Sequence, residues 1–454
     1  MTYLRTGFSL TAALTLSVSI LTPAHAQEGS GLRGTISFSQ GIELNDNPDF
    51  TVAPEGTSVV TQTRLGFGVA SRTKTEQFRF NINGRLEGEL SGTNTLDPWE
   101  VEDLSTSLRY RREGARSSLT FSARQSERKI EDEVVDLGTG FFGISFGPES
   151  IIVDSGSVAV TGLGADFATG LGGPLELSLR TRYTDRDYSD TFDPELLDSE
   201  TTNLSGIALF RLNPAFAVRA QAGQTIKDED GGSEYDNSYI GLGVETGTNA
   251  MTVSGDLFFD KSAIDGVVED GLGFALGVSR PQTDGAIGVE LSSRIDDAGR
   301  RTTASVRRSI DLPTGGLSFS LGLTDQEGEG GARLTGAIDY SRETPRGGLV
   351  ASISQSPATS SGTAYMDTLL SVEYSEEIDA ISGWSAGISY TASNELGGDD
   401  DDSLTSASLT YQRALTEDWG LRTGVEITRI NTTRTDRDRN TVFFNIERDI
   451  TFGF

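Results

Sequence analysis

The sequence predicts an all-β chain: a transmembrane antiparallel up-and-down β-barrel of about 22 strands, with 18–20 as lower counts and no plug domain. Three observations predict it. Long segments alternate strictly between apolar and polar residues. The connections alternate between long, acidic stretches and short ones rich in Gly and Pro. A secretory leader precedes both.

The leader comes first. Arg5 supplies a positive start, Phe8 to Leu21 is uncharged and largely apolar, and Ala24-His25-Ala26 before Gln27 has the form of a cleavage site. Residues 1–26 therefore read as a signal peptide, and 27–454 as an outer-membrane barrel with long acidic extracellular loops. The expected location is the outer membrane of a Gram-negative bacterium, with both termini periplasmic.

Composition narrows the chemistry. The chain carries 37 Lys+Arg against 67 Asp+Glu, a net charge of −30, and only 35% hydrophobic residues. It has no cysteine, and its one histidine, His25, lies in the leader. The mature chain thus lacks the parts for a Ser–His–Asp triad, a Cys–His pair or a His-ligated metal. No enzyme, cofactor or metal site is expected, and nothing points to nucleic acid. Asp399–Asp402 reads as a solvated loop, because a calcium site spaces its ligands around a turn.

The alternation defines the strands. From Phe78 to Leu90, Phe78, Phe80, Ile82, Leu86 and Leu90 share one parity, and Arg79, Asn81, Asn83, Arg85, Glu87 and Glu89 the other. Successive side chains of a strand point to opposite faces, so this segment has one apolar and one charged face. Leu175–Tyr183, Leu317–Leu323, Trp384–Tyr390 and Val442–Ile446 repeat the pattern. A surface that meets lipid on one side and water on the other needs no dry core, which accounts for the thin apolar content.

The connections give the count. Asn45–Thr57, Gly92–Asp103, Lys129–Gly156, Ala263–Asp270, Asp296–Arg300, Ser356–Asp367 and Ser393–Ser403 belong to the long or acidic set. Arg72–Thr75, Glu113–Gly114, Asp311–Gly316 and Leu415–Glu417 belong to the short set. Two unlike rims fit long extracellular loops and short periplasmic turns. A local repeat, Ser309 to Leu317 against Ser341 to Leu349, reads as a duplicated hairpin.

The C-terminus carries a resemblance. Ile450, Phe452 and Phe454 share one parity, which resembles the signal that outer-membrane barrels present to the barrel-assembly machinery. Thr161 to Tyr188 and Gln412 to Trp419 add to the likeness, and the chain resembles the type 2 β-barrel porin group of proteobacteria. That resemblance implies an outer-membrane pore, linked in some members to exopolysaccharide export, and a count nearer about 18 strands. Arg448 departs from the pattern, since it falls on the lipid parity of the last strand. It has to snorkel to an interface, or a bulge has to re-aim it.

Function is expected in the lumen. Arg79, Arg85, Glu87, Glu89, Arg109, Arg111, Arg180, Arg182, Arg219, Glu290, Arg333 and Arg422 all lie on the polar parity and are expected to line the pore. They either form a conduit whose field selects solutes, or pair across strands and hold the wall together. The expected partners are outer-membrane lipid, the assembly machinery, and a hydrophilic solute or glycan. Three functions follow: a passive pore, a polysaccharide export conduit, or a structural or adhesive barrel without conductance. A TonB-type receptor of 22 strands is set aside, because it needs a plug domain and the first strand is expected soon after the cleavage site.

Overall fold

The computed structural model describes residues 31–47, 56–91, 100–130, 156–191, 196–328, 330–360, 362–398, 401–433 and 436–453. The expected leader, most of the Lys129–Gly156 connection and Phe454 lie outside the described residues. The chain runs as a meander of long strands. It begins with β1 (Gly31–Asn45), β2 (Ser58–Arg72), β3 (Glu76–Ser91), β4 (Glu100–Glu113), β5 (Ser117–Lys129) and β6 (Ser157–Thr169). Next come β7 (Leu175–Ser189), β8 (Ser199–Asn213), β9 (Phe216–Glu229), β10 (Glu234–Gly247) and β11 (Thr252–Ile264). The second half opens with β12 (Val267–Gln282), β13 (Gly285–Asp296), β14 (Gly299–Leu312), β15 (Gly315–Gln326) and β16 (Arg333–Thr344). It ends with β17 (Gly347–Ser360), β18 (Thr363–Asp379), β19 (Ser382–Glu395), β20 (Asp401–Ala414), β21 (Trp419–Asn431) and β22 (Asp436–Gly453).

Each strand pairs antiparallel with the next, and β22 pairs back onto β1 from Arg33↔Gly453 to Asn45↔Thr441. The sheet is closed at 22 strands, so no ladder edge is left open. The counts of 18–20 are thereby excluded. Of the stretch that brought them into play, Gly140–Phe167, the described part from Gly156 onward enters β6, which pairs with β5 and β7 along its length, and the rest lies outside the described residues.

Closure gives the wall two unlike faces. On β11, Leu257 is 68% exposed, whereas Asp256 and Asp260, on the other parity, are 7% and 0% exposed. A closed sheet crowds side chains on its concave side and spreads them on its convex side. The spread face is apolar and suits lipid; the crowded face is polar and lines the lumen. Strands of 12 to 18 residues exceed the about 9–11 that a tilted crossing needs, so they run on beyond the hydrocarbon.

That overrun corrects the rim reading. Ala263–Asp270 and Asp296–Arg300, placed in the long or acidic set, are tight turns, and within Ser356–Asp367 the strands run on to Ser360 and resume at Thr363. Between β11 and β12 only Asp265 and Gly266 turn, with φ of 49° and 80°, the left-handed pair of a type I′ hairpin. Polar, acidic residues mark where a strand leaves the bilayer, and in water its ladder hydrogen bonds simply continue.

The short-turn rim carries the duplicated hairpin and an aromatic belt. The repeat covers the β14–β15 and β16–β17 turns. At each, the first glycine of the new strand presses on the next hairpin: a Cβ at Gly315 or Gly347 would lie 1.9 Å from the carbonyl oxygen of Ser341 or Ser375. Tyr374 and Trp384 pack with ring centroids 5.2 Å apart on the lipid-facing parity, and Tyr411 and Trp419 continue the belt. Arg448 joins it. Its guanidinium lies 5.3 Å from the Trp419 ring centroid and 3.4 Å from Asp418 in the adjoining turn. The misfit residue snorkels to the interface, as its position requires.

Candidate functional site

The inner face holds most of the charge that the strands carry, and its two arcs differ. On one arc, from β6 to β15, arginines meet carboxylates. Arg180 and Arg182 of β7 share Asp166 of β6, at 2.8 and 2.6 Å. Arg211 of β8 reaches Glu176 at 2.8 Å, and Arg307 of β14 meets Glu290 of β13 at 3.4 Å.

Two of these pairs skip a strand. Arg219 of β9 donates to Asp256 of β11 across β10, through Nε at 3.1 Å and Nη2 at 2.5 Å, and Gln221 adds a bond at 3.0 Å. Arg294 of β13 donates to Asp260 of β11 across β12, with Nη2 2.6 Å from Oδ1. The same guanidinium lies 3.6 Å from the Phe258 ring centroid and 5.0 Å from that of Tyr239. These inward aromatics are therefore covered by a cation.

The other arc, on β2 to β5, is arginine against arginine. Arg64 stands directly opposite Arg85, and Arg79 directly opposite Arg109. Arg85 is nearly buried and meets Asp103 at 3.0 Å. Glu87 accepts a bond from Gln62 at 3.1 Å, and Arg111 pairs with Glu113 on its own strand. Arg79, Arg109 and Arg124 are exposed to the lumen and have no carboxylate partner among the described residues. Arg333, on the far wall, is likewise exposed and unpaired among them.

A cavity of about 360 Å³ opens on the lumen where the barrel closes, between β1–β4 and β21–β22. Arg64, Arg85 and Arg422 converge there with Asp103, Glu447 and Asp449. Arg422 also lies 5.7 Å from the Phe443 ring centroid. Basic and acidic groups balance in this cavity, so it favours a polar solute of mixed charge or many hydroxyls.

The polar parity thus places the expected residues whose side chains are described on the inner face, and many of them are wall braces as well. Glu89 is placed in β3, but its side chain lies outside the described residues. At the seam, Ile450 faces Ile36, and Phe452 packs on Gly34. Sequence reasoning missed the acids that complete the pairs: Asp103, Asp166 and Asp260. A legible signal existed for Asp260. It shares parity with Asp256 and faces glycines at Gly271 and Gly273 of the next strand.

No family model matches the sequence, and no curated protein does. Solved structures match the fold. The ferric-catecholate import receptor Fiu from E. coli aligns with a TM-score of 0.59 at 10% identity, over 93% of this chain and 82% of that one. The FrpB iron transporter from Neisseria meningitidis gives 0.58 at 9% identity, over 93% and 82%. A mutant ferric enterobactin receptor, PfeA, from Pseudomonas aeruginosa gives 0.54 at 10% identity, over 94% and 82%. At these identities the likeness is one of fold, that of a Gram-negative outer-membrane β-barrel.

These likenesses correct the expected fold class. The barrels that match are TonB-dependent receptors, which have a plug domain, so the expectation of a porin-like barrel without a plug is withdrawn. Nothing singles out the type 2 porins. The physical reason is plain. Alternation and rim asymmetry report strands and sidedness, which all such barrels share, and say nothing of what occupies the lumen.

Proposed function

We propose that this chain is an outer-membrane transport barrel that carries hydrophilic solutes across the bilayer through its lumen, without enzymatic chemistry. The observation that supports the reading is the two-faced wall: an outer face of exposed leucine and isoleucine, and an inner face of arginine, aspartate, glutamate, serine and threonine. Water and polar solutes are at home against such an inner face, and a closed barrel of this size is wider than its own side chains fill. The likeness to outer-membrane transport receptors supports transport as the class.

Polysaccharide export finds less support. Sugar rings slide along free aromatic faces, yet Phe258 is 6% exposed beneath Arg294, and Phe443 lies beside Arg422. The strand-skipping pairs support the structural barrel as the second reading, because they brace the wall with no regard to a solute.

Reconstitution tests the proposal. Purified, folded barrel in planar bilayers should give discrete conductance steps, with ion selectivity that weakens as salt rises and screening shortens. Barrel that is folded by heat-modified gel mobility yet silent at every salt concentration would leave the structural reading standing.

A further inference from the structure

The chain has acid to spare, 67 Asp+Glu against 37 Lys+Arg, yet among the described residues a cluster of lumenal arginines has no carboxylate partner. Arg79 and Arg109 face each other across β3 and β4. Side chains so placed have Cβ atoms about 4.5–5.5 Å apart, and like charges there destabilise a sheet. Arg124 projects from β5 on the same face, one strand further on. The groups between them are neutral: Asn81 donates to Ser107 at 3.3 Å, and Ser122 stands opposite Arg109. On the opposite arc, Arg219 and Arg294 each have an aspartate within hydrogen-bond distance. One wall therefore pairs its arginines with carboxylates, while on the other Arg79, Arg109 and Arg124 have none among the described residues.

We infer that the Arg79–Arg109 face is an oxyanion-binding site, taking the carboxylate or phosphate group of a hydrophilic solute. Two guanidinium forks side by side offer parallel N–H donors that match the oxygens of such a group, and a bound anion removes the repulsion between them. Arg124 adds charge from the neighbouring strand. The mixed cavity at the seam lies further along β3, where Arg85 sits six residues nearer the long-loop rim. A solute with an anionic end and a hydroxylated body would meet both. The inference rests on the reading of the barrel as a conduit, and it names the substrate class as anionic.

The test uses the full-length barrel folded in detergent, with inorganic phosphate as the probe, followed by phosphorus NMR line width. Wild-type barrel should broaden the phosphate line. Arg79→Gln with Arg109→Gln should weaken the apparent affinity about tenfold or more, because the charge-assisted hydrogen bonds to the anion are lost. Arg307→Gln, on the paired arc, should bind as wild type does. Heat-modified gel mobility establishes that each variant is folded. A wild-type barrel that leaves the line sharp, or a double variant that binds equally well, overturns the site. The two readings fail separately: conductance without phosphate binding sinks the site and leaves the conduit, while binding without conductance does the reverse.

Discussion

The Cβ that Gly273 lacks would stand 2.4 Å from Oδ2 of Asp260 and 2.8 Å from the carbonyl oxygen of Ser293. That empty space on β12 is the passage through which Arg294 reaches Asp260. Asp260→Ala should cost about 3 kcal/mol, the low end for removing one partner of a buried pair, because Arg294 remains partly solvated. Gly273→Val removes no charge and should destabilise comparably. Urea midpoints of the folded barrel check both, and a Gly273→Val barrel as stable as wild type would refute the crossing.

Leu179 and Arg180 are neighbours on β7 with opposite duties. Leu179 is 48% exposed on the lipid face, while Arg180 turns inward to Asp166. Leu179→Arg should cost roughly 2–4 kcal/mol if the site lies near mid-bilayer. Arg180→Leu should be tolerated, because Arg182 still holds the other oxygen of Asp166. The yield of heat-resistant barrel on a gel separates the two, and equal yields would mean a wrong register.

Asp284, in the turn between β12 and β13, accepts a 2.6 Å hydrogen bond from Arg308, and this bond holds its carboxyl below the usual carboxylate range. A carboxyl lowered in the folded state adds stability that is present above its unfolded pKa and lost as pH falls through its folded one. Wild-type and Asp284→Asn barrels should melt apart at neutral pH, and the gap should start to close as pH falls below the ordinary aspartate pKa of about 3.9. Thermal melts across that range decide it, and a gap that widens in acid would reverse the sign argued here.

Sidedness has its own test, helped by the absence of native cysteine. Glu327→Cys lies in the β15–β16 connection on the long-loop rim, and Thr314→Cys in the β14–β15 turn on the other. A membrane-impermeant maleimide should label the first on intact cells and the second only after lysis. The opposite pattern would invert the barrel.

Strand identity was legible because lipid and water impose a period of two wherever both touch the wall. Leu257 and Phe259 out, Asp256 and Asp260 in, follow that rule. Phe258 blurs it, since an aromatic on the inner parity reads as a break until Arg294 is seen covering it. The turn at Asp265–Gly266 was hidden for a different reason: solubility and chain reversal leave the same polar signature. Partner choice was the least legible. Arg294 skips a strand to find Asp260, and no local spacing encodes a bond that depends on a glycine in the strand between. The count of 22 strands brought a TonB-type receptor into view, but the pattern could not decide for or against it, because alternation says nothing of what occupies the lumen.

The strand-skipping bonds have a mechanical consequence. Arg219 to Asp256, Arg294 to Asp260 and Gln326 of β15 to Asp296 of β13 act as diagonal struts along the arc from β9 to β15. Across β3 and β4, Arg79 and Arg109 push apart where a strut would pull. A ring that carries such struts along one arc does not deform evenly. When swelling pressure or thermal agitation loads it, the strutted arc from β9 to β15 should keep its curvature best, so the breathing of the tube has a built-in direction.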